Sequence, residues 1–263
     1  MEIILLVISL FGTYILVPPL RNTFGPSLMR LNFQNREVPV GLGIIFILIP
    51  VPLMLLFTRI QRSSTFEFLG IVTLVFFGIL GLIDDVSGDR TSRGFRGHFH
   101  ALRNGVLTTG ALKAILGGLG AFLIGSFLAK NLVEVMLNGL LIALGANTLN
   151  LFDLRPGRAG KVFLIFSMVI LITSGFSVDF LIVFASVLGY LAWDLRQQVM
   201  MGDTGSNCLG AFLGLYLVRS SLLFRLGIVF LLICLQVLCE RLSLTKLIES
   251  NRVLDFLDRL GRG

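Results

Sequence analysis

Carboxylates are scarce in this chain, and where they stand is its first chemical clue. Charged residues make up 14% of 263 residues and hydrophobic residues 55%, with a mean hydropathy of +0.91; a soluble domain carries about 25% charged residues. Against that background Asp84, Asp85, Asp153, Asp194 and Asp203 stand where apolar runs meet polar segments. A carboxylate beside hydrocarbon is costly to dehydrate unless a cation or hydrogen-bond donors compensate. Several of them converging on one face would need a cation. Carboxylate, amide and water oxygens suit magnesium, or manganese, and magnesium is commonly held by one or two protein groups plus substrate phosphates.

Three segments carry most of this chemistry. In Gly81-Leu82-Ile83-Asp84-Asp85 the adjacent carboxylates point about 100° apart if helix continues. One can then face a metal or phosphate while the other takes a proton, although the pair alone is also an ordinary solvated helix end. Asn147, Asn150 and Asp153 recur every third residue, which keeps them near one helical face; interhelical hydrogen bonding by the two amides is the alternative. Arg155, Gly157, Arg158 and Lys161 follow directly. Such a basic, glycine-containing turn can grip phosphate oxygens through guanidinium and backbone N–H groups. Gly202-Asp203-Thr204-Gly205-Ser206 opens a further apolar run, and N–H groups at a helix start favour anions. Asp203 can hold a metal that bridges them, while as a plain capped helix start the segment needs no function.

The elements that must position these groups are apolar helices in a bilayer, at nominally about 20 residues per crossing. Nine runs qualify, at 3–20, 41–57, 68–83, 111–128, 133–149, 162–173, 178–193, 208–218 and 222–239. The two runs flanking Ser174-Gly175-Phe176 are alternatively one broken helix. Pro18, Pro19, Pro50 and Pro52 are expected to kink or end the first two spans. Met1 and Glu2 leave no room for a basic leader, so the first run reads as a retained span. The fold class is therefore all-α and polytopic, with a transmembrane domain over 1–243. From Arg252 onward Val253, Phe256, Leu257 and Leu260 share one helical face opposite Arg252, Asp255, Asp258, Arg259 and Arg262. Residues 244–263 thus read as an amphipathic tail on the inner surface. Cys208, Cys234 and Cys239 lack the spacing of a zinc or disulfide site and read as packing residues.

Basic residues orient the bundle, because short cytoplasmic loops hold an excess of Lys and Arg. If the first helix enters from outside, only Arg59, Arg62, Lys130, Arg219 and Arg225 lie on the outer side, and the net charge of +7 gathers on the cytoplasmic one. All five aspartates fall on that same side. Anionic lipid head groups are one partner for these cations, and bound phosphates are the other.

The order Asp84-Asp85, then Asn147 to Asp153, then Gly202-Asp203-Thr204-Gly205-Ser206 resembles the polyprenyl-phosphate N-acetylhexosamine-1-phosphate transferases. Pro39-Val40-Gly41-Leu42-Gly43 is similar to the proline-glycine element opening that family's second helix. Leu107 to Lys113 is similar to its lysine-bearing fourth-helix start. The resemblance runs from about Pro39 to Gly210.

It implies transfer of N-acetylhexosamine-1-phosphate from a UDP-sugar to polyprenyl (undecaprenyl) phosphate, releasing UMP, for cell-envelope glycan synthesis. Asp203 would hold Mg2+ with Asn150. Asp84 would deprotonate or orient the lipid phosphate with support from Asp85, and Lys113 would contact a phosphate. Asn147 and Asp153 would line the nucleotide-sugar pocket, with Arg155 and Arg158 among the substrate-binding residues. The implied partners are polyprenyl phosphate, a UDP-N-acetylhexosamine and the lipid bilayer, with no nucleic acid. A homodimer is compatible with it, and a bacterial plasma membrane is the implied location.

Two departures leave the donor sugar open. The family's Asp-Gly is here Asp153-Leu154-Arg155, and no histidine-rich loop lies near the C-terminus; His98 and His100 sit after the third span instead. The rival readings are a non-catalytic relative that binds polyprenyl phosphate or a partner enzyme, which the retained carboxylates oppose, and a small transporter, which the one-sided charge opposes.

Overall fold

A computed structural model describes residues 1–61, 65–87, 109–175 and 177–262. His98 and His100, with the loop that carries them, lie outside the described residues. The chain is all-α and polytopic apart from one small hairpin. The helices are α1 (Glu2–Thr23), α2 (Ile45–Leu48), α3 (Pro50–Gln61), α4 (Thr65–Ser87), α5 (Thr109–Ser126), α6 (Leu132–Phe152) and α7 (Arg158–Ser174). They continue with α8 (Val178–Leu195), α9 (Gly202–Leu217), α10 (Leu222–Arg241), α11 (Leu244–Ser250) and α12 (Arg252–Arg259). Among the described residues six segments are long and apolar enough to cross a membrane: α1, the α2–α3 stretch Leu42–Gln61, α4, α6, α8 and α10. The other three runs expected to span form the shorter helices α5, α7 and α9.

Pro18 and Pro19 do not end α1, which continues to Thr23. Pro18 has no N–H for the Tyr14 carbonyl, and that carbonyl instead accepts from Trp193 Nε1 of α8 at 2.9 Å, so a neighbouring helix satisfies the freed group. Pro50 does mark an interruption, since α2 closes at Leu48 and α3 opens at Pro50. Residues flanking Gly175 form two helices that pack on each other, with Gly175 in the left-handed region at φ +83°.

Helix α9 is the hub. It is buried from Thr204 to Leu217 and packs against α4, α6 and α7. An apolar helix buried on all sides needs neighbours that come close, and glycines let them. A Cβ on Gly145 of α6 would meet the Gly210 carbonyl oxygen at 2.5 Å, and one on Gly214 would meet the Leu141 carbonyl oxygen at 2.3 Å. Helices α1 and α8 approach in the same way at Gly189, joined by Ser9 Oγ donating to the Ile182 carbonyl at 2.6 Å and by the Thr13–Ser186 hydroxyl pair at 2.8 Å. Lipid offers no hydrophobic drive for helices to associate, so such close packing and hydrogen bonding hold the bundle together. Cys208 is part of this core, as read from the sequence, whereas on α10 Cys234 is exposed and Cys239 half-buried.

The element not expected is the antiparallel hairpin β1 (Met29–Leu31) and β2 (Glu37–Pro39), with Met29 opposite Pro39. Met200 N–H donates to the Pro39 carbonyl at 2.9 Å, and Leu42 and Gly43 N–H return bonds to the Met200 and Met201 carbonyls. The hairpin is thereby stitched to the segment that opens α9.

Candidate active site

Tight packing between helix ends sets the geometry here. A Cβ on Gly81 would lie 2.2 Å from the Asp203 carbonyl oxygen, and one on Gly43 would lie 2.2 Å from Gly205 Cα. Glycine at both places lets α4 and the Pro39–Gly43 element close on the first turn of α9. The Asp85 carboxylate then caps that turn from another helix. Oδ1 accepts the Asp203 N–H at 3.0 Å, while Oδ2 accepts the Thr204 N–H at 2.9 Å and its hydroxyl at 2.6 Å. A carboxylate is favoured at a helix N-terminus by the open N–H groups and the dipole. Asp85 is thus committed to orienting Asp203. The alternative of a cap from within the Gly202–Ser206 segment does not hold.

Four side chains from separate stretches meet beside this cap. Lys113 Nζ of α5 lies against Asp203 Oδ2 and 3.4 Å from Asp84 Oδ2. Asn150 Nδ2 of α6 is 3.4 Å from Asp203 Oδ2, and Asn150 Oδ1 accepts from the Ser206 hydroxyl at 3.3 Å. The Lys113 ammonium shows that a positive charge is accommodated between the two carboxylates. The donors around it are all oxygens once the Asn150 amide turns over, a set that suits magnesium better than zinc. Among the described residues no group of three or more His, Cys, Asp or Glu side chains is placed to hold a metal. An ion held by the Asp203 and Asn150 oxygens would complete its shell from phosphates and water.

Next to the cluster opens a cavity of about 410 Å³, within the range of ligand pockets, about 300–1,000 Å³. The hairpin segment contributes Arg30 and Phe33, the turn after α6 contributes Asp153 and Arg155, and Asp85, Asp194 and Asp203 form its acidic side. Asp153 accepts the Gly202 N–H and Asp194 accepts the Gly157 N–H. Burial, joined by the charges of Asp194, Asp203 and Asp85, pushes the Asp153 carboxyl well above the ordinary carboxylate range. A protonated Asp153 can donate a hydrogen bond as well as accept one. The Arg155 guanidinium sits 5.0 Å from the centre of the Phe33 ring, joining the two lips of the cavity.

The sequence-derived residues therefore divide. Asp84, Lys113, Asn150 and Asp203 come together, with Asp85 behind them, while Asp153 and Arg155 line the cavity. Asn147 and Arg158 do not line it. Asn147 Nδ2 donates to Gln236 Oε1 of α10 at 2.6 Å, and Gln236 Nε2 donates on to Thr148 Oγ1 at 3.1 Å. This is the interhelical alternative read for the amides. Arg158, expected to bind substrate, is 3% exposed and forms a two-pronged pair with Asp258. A helix-end arginine this close to a carboxylate from the tail is desolvated by the pairing and turns away from the cavity. Arg30, Phe33 and Asp194 received no role from sequence. Asp194 carried the signal of a carboxylate at the end of an apolar run, and Gln236 that of a lone amide inside one.

Comparison with known proteins reaches the same stretches. The profile of glycosyl transferase family 4 matches residues 68–221, from α4 to the start of α10. The phospho-N-acetylmuramoyl-pentapeptide-transferase of Petrotoga mobilis is 24% identical over 261 residues, covering 92% of this chain and 76% of that protein. Its counterpart from Chlamydia trachomatis is 28% identical over 241 residues, covering 81% and 71%.

Proposed function

Because the chain belongs to glycosyl transferase family 4, we propose that it transfers a UDP-linked N-acetylhexosamine-1-phosphate to a polyprenyl phosphate at the cytoplasmic face of a bacterial plasma membrane. The observation that carries the reading is the meeting of Asp84, Lys113, Asn150 and Asp203, from four distant stretches, beside one cavity at one end of the bundle.

The acceptor phosphate oxygen attacks the β-phosphorus of the UDP-sugar. The bond from that phosphorus to the bridging oxygen breaks, the bridging oxygen keeps the electron pair, and UMP leaves. A lipid-linked pyrophosphoryl sugar remains. Transfer between anions of this kind depends on charge neutralisation and in-line placement more than on covalent help from protein. Magnesium held by Asp203 and Asn150 would supply neutralising charge. Lys113 exchanges its carboxylate partners for a substrate phosphate oxygen and holds it. Asp84, released from Lys113, takes the proton of the acceptor phosphate or orients its attacking oxygen. Asp85 keeps the Asp203 backbone in place, and Asp153 and Arg155 bind the nucleotide-sugar. Exposed apolar surface along the membrane-spanning helices gives the prenyl chain hydrocarbon to follow to the site.

The test is release of UMP, and exchange of labelled UMP into UDP-sugar, in membranes containing the protein and undecaprenyl phosphate. A panel of UDP-N-acetylhexosamines is tried with and without magnesium. Turnover that needs both the lipid and the metal is expected. Binding of the lipid phosphate without turnover of any donor would support a non-catalytic relative instead.

A further inference from the structure

The C-terminal residues fold back onto the turn that lines the cavity. Asp258, 8% exposed, accepts from Arg158 Nε at 2.7 Å and from Arg158 Nη2 at 2.8 Å. Arg262 Nη2 donates to the same carboxylate at 2.6 Å, and Arg262 Nε donates to the Pro156 carbonyl at 2.9 Å. Lys161 Nζ reaches the main-chain carbonyls of Asp258 at 2.6 Å and Leu257 at 3.0 Å, and Arg158 Nη1 reaches Thr245 Oγ1 of α11 at 3.1 Å. One carboxylate thus gathers two guanidiniums, with a lysine alongside, at the start of α7.

The turn between α6 and α7 is closed by local bonds such as the Arg158 N–H to the Arg155 carbonyl at 3.1 Å, and its Arg155 lies on Phe33 and 3.9 Å from Glu249 of the tail, so contacts from other segments set where it sits. Asp153 is tied at one end to the Gly202 N–H. At the other, Gly157 adopts φ +71° and Arg158 begins α7. Between them Asp153, Leu154, Arg155 and Pro156 face the cavity. A two-pronged guanidinium–carboxylate pair sets direction as well as distance, and a preorganised turn spares the ligand the cost of ordering it. Helix α7 is meanwhile seated in the bundle by Phe163 against Phe180 and by its packing on α9, so the spans do not depend on the tail.

We infer that Asp258 is a positioning residue for the nucleotide-sugar pocket, holding the 153–156 turn in its binding conformation through Arg158 and through Arg262 on Pro156. The inference rests on the transferase reading for the identity of the ligand. It makes the tail, whose apolar side at Val253, Phe256 and Leu260 stays exposed, part of the site's support.

Asp258→Asn, Asp258→Glu and Arg262→Gln in the full chain test it, by UDP-sugar kinetics and by equilibrium binding of the same UDP-sugar in calorimetry. Asp258→Asn is expected to raise KM and Kd by about tenfold with kcat changed less than about twofold, as lost uniform binding requires. Asp258→Glu should recover most of the affinity. Arg262→Gln should shift KM and Kd the same way by less, and it serves in place of Asp258→Asn if that variant elutes as aggregate. Wild-type Kd in the folded variants, or a fall in kcat with KM and Kd unchanged, overturns the inference alone. A wild-type protein that neither binds nor turns over any UDP-sugar overturns the transferase reading together with it.

Discussion

At the scale of single residues, the proposed site separates groups that face substrate from groups that hold them. Asp203 receives Lys113 and Asn150 at its side chain while its own N–H is held by Asp85. Replacing one of its oxygens with an amide group removes the charge that a metal or lysine needs. Asp203→Asn is therefore expected to lower turnover by about a hundredfold or more, the size seen when one electrostatic group is removed from a reacting centre. The check is UMP release from protein whose elution and thermal unfolding match wild type; full activity would remove the assigned role. Asp85 acts differently. Its loss opens the first turn of α9, so Asp85→Ala should cost about 1–2 kcal/mol of stability as well as activity, read as a lower unfolding midpoint in detergent. The sequence marks Asp84 and Asp85 as a pair but not which one turns inward, because the capping partner lies more than a hundred residues away.

At the scale of elements, close approach is the controlling quantity. Helix α4 can present its carboxylates to α9 only because Gly81 has no Cβ. Gly81→Ala would force backbone apart, and overpacking of this kind costs about 1–3 kcal/mol. Reduced thermal stability together with lost activity is the expected result, while an unchanged midpoint and rate would deny that this contact sets the site. The tail gives a pH prediction. Burial pushes the Asp258 carboxyl up, but hydrogen bonds and charges from Arg158 and Arg262 outweigh it and hold the group below the ordinary carboxylate range. A carboxyl depressed in the folded state stabilises docking above its unfolded value, about 3.9, and that contribution disappears as pH falls through the lower folded value. The charged groups facing it are Arg158, Lys161 and Arg262. A spin label at Val253→Cys, in a chain otherwise free of cysteine, should therefore be held at about pH 5 and loosen only once the pH falls below the ordinary carboxylate range; equal mobility at both would contradict the prediction.

For the whole molecule, the question is which side of the membrane holds the cavity. Arg30, Arg155, Arg158, Lys161 and Arg262 surround the site end, and Lys130, Arg219 and Arg225 lie at the other end of the bundle. The far end has its own buried polar groups, Arg225 with Asn138 and Glu134, and Asp179 with Tyr216 and Ser177. These join helix ends by ion pairs and hydrogen bonds. Under the proposed function this basic face is the cytoplasmic one, as the excess of Lys and Arg in short inner loops requires. In a background where Cys208, Cys234 and Cys239 are replaced, a cysteine at Asn35 should react with an impermeant maleimide only in inside-out vesicles, and one at Lys130 only in intact cells. The reverse pattern would move the proposed active site to the other face.

The sequence alone determined the solvent of this protein and the list of its chemical groups. A bilayer admits only chains that satisfy their backbone internally, so composition and run length lead to an all-α bundle, and a carboxylate at the end of an apolar run identifies itself by its cost. The sequence did not determine partners. Asp85 as a cap for α9, Asn147 bound to Gln236, Arg158 turned to Asp258 and the hairpin at the cavity mouth all depend on contacts between residues far apart in the chain. Hydrophobic periodicity says which face of a helix is apolar, not which neighbour meets it. Only the tertiary structure places each polar group beside the one that satisfies it, and it does so through backbone approaches that glycines permit.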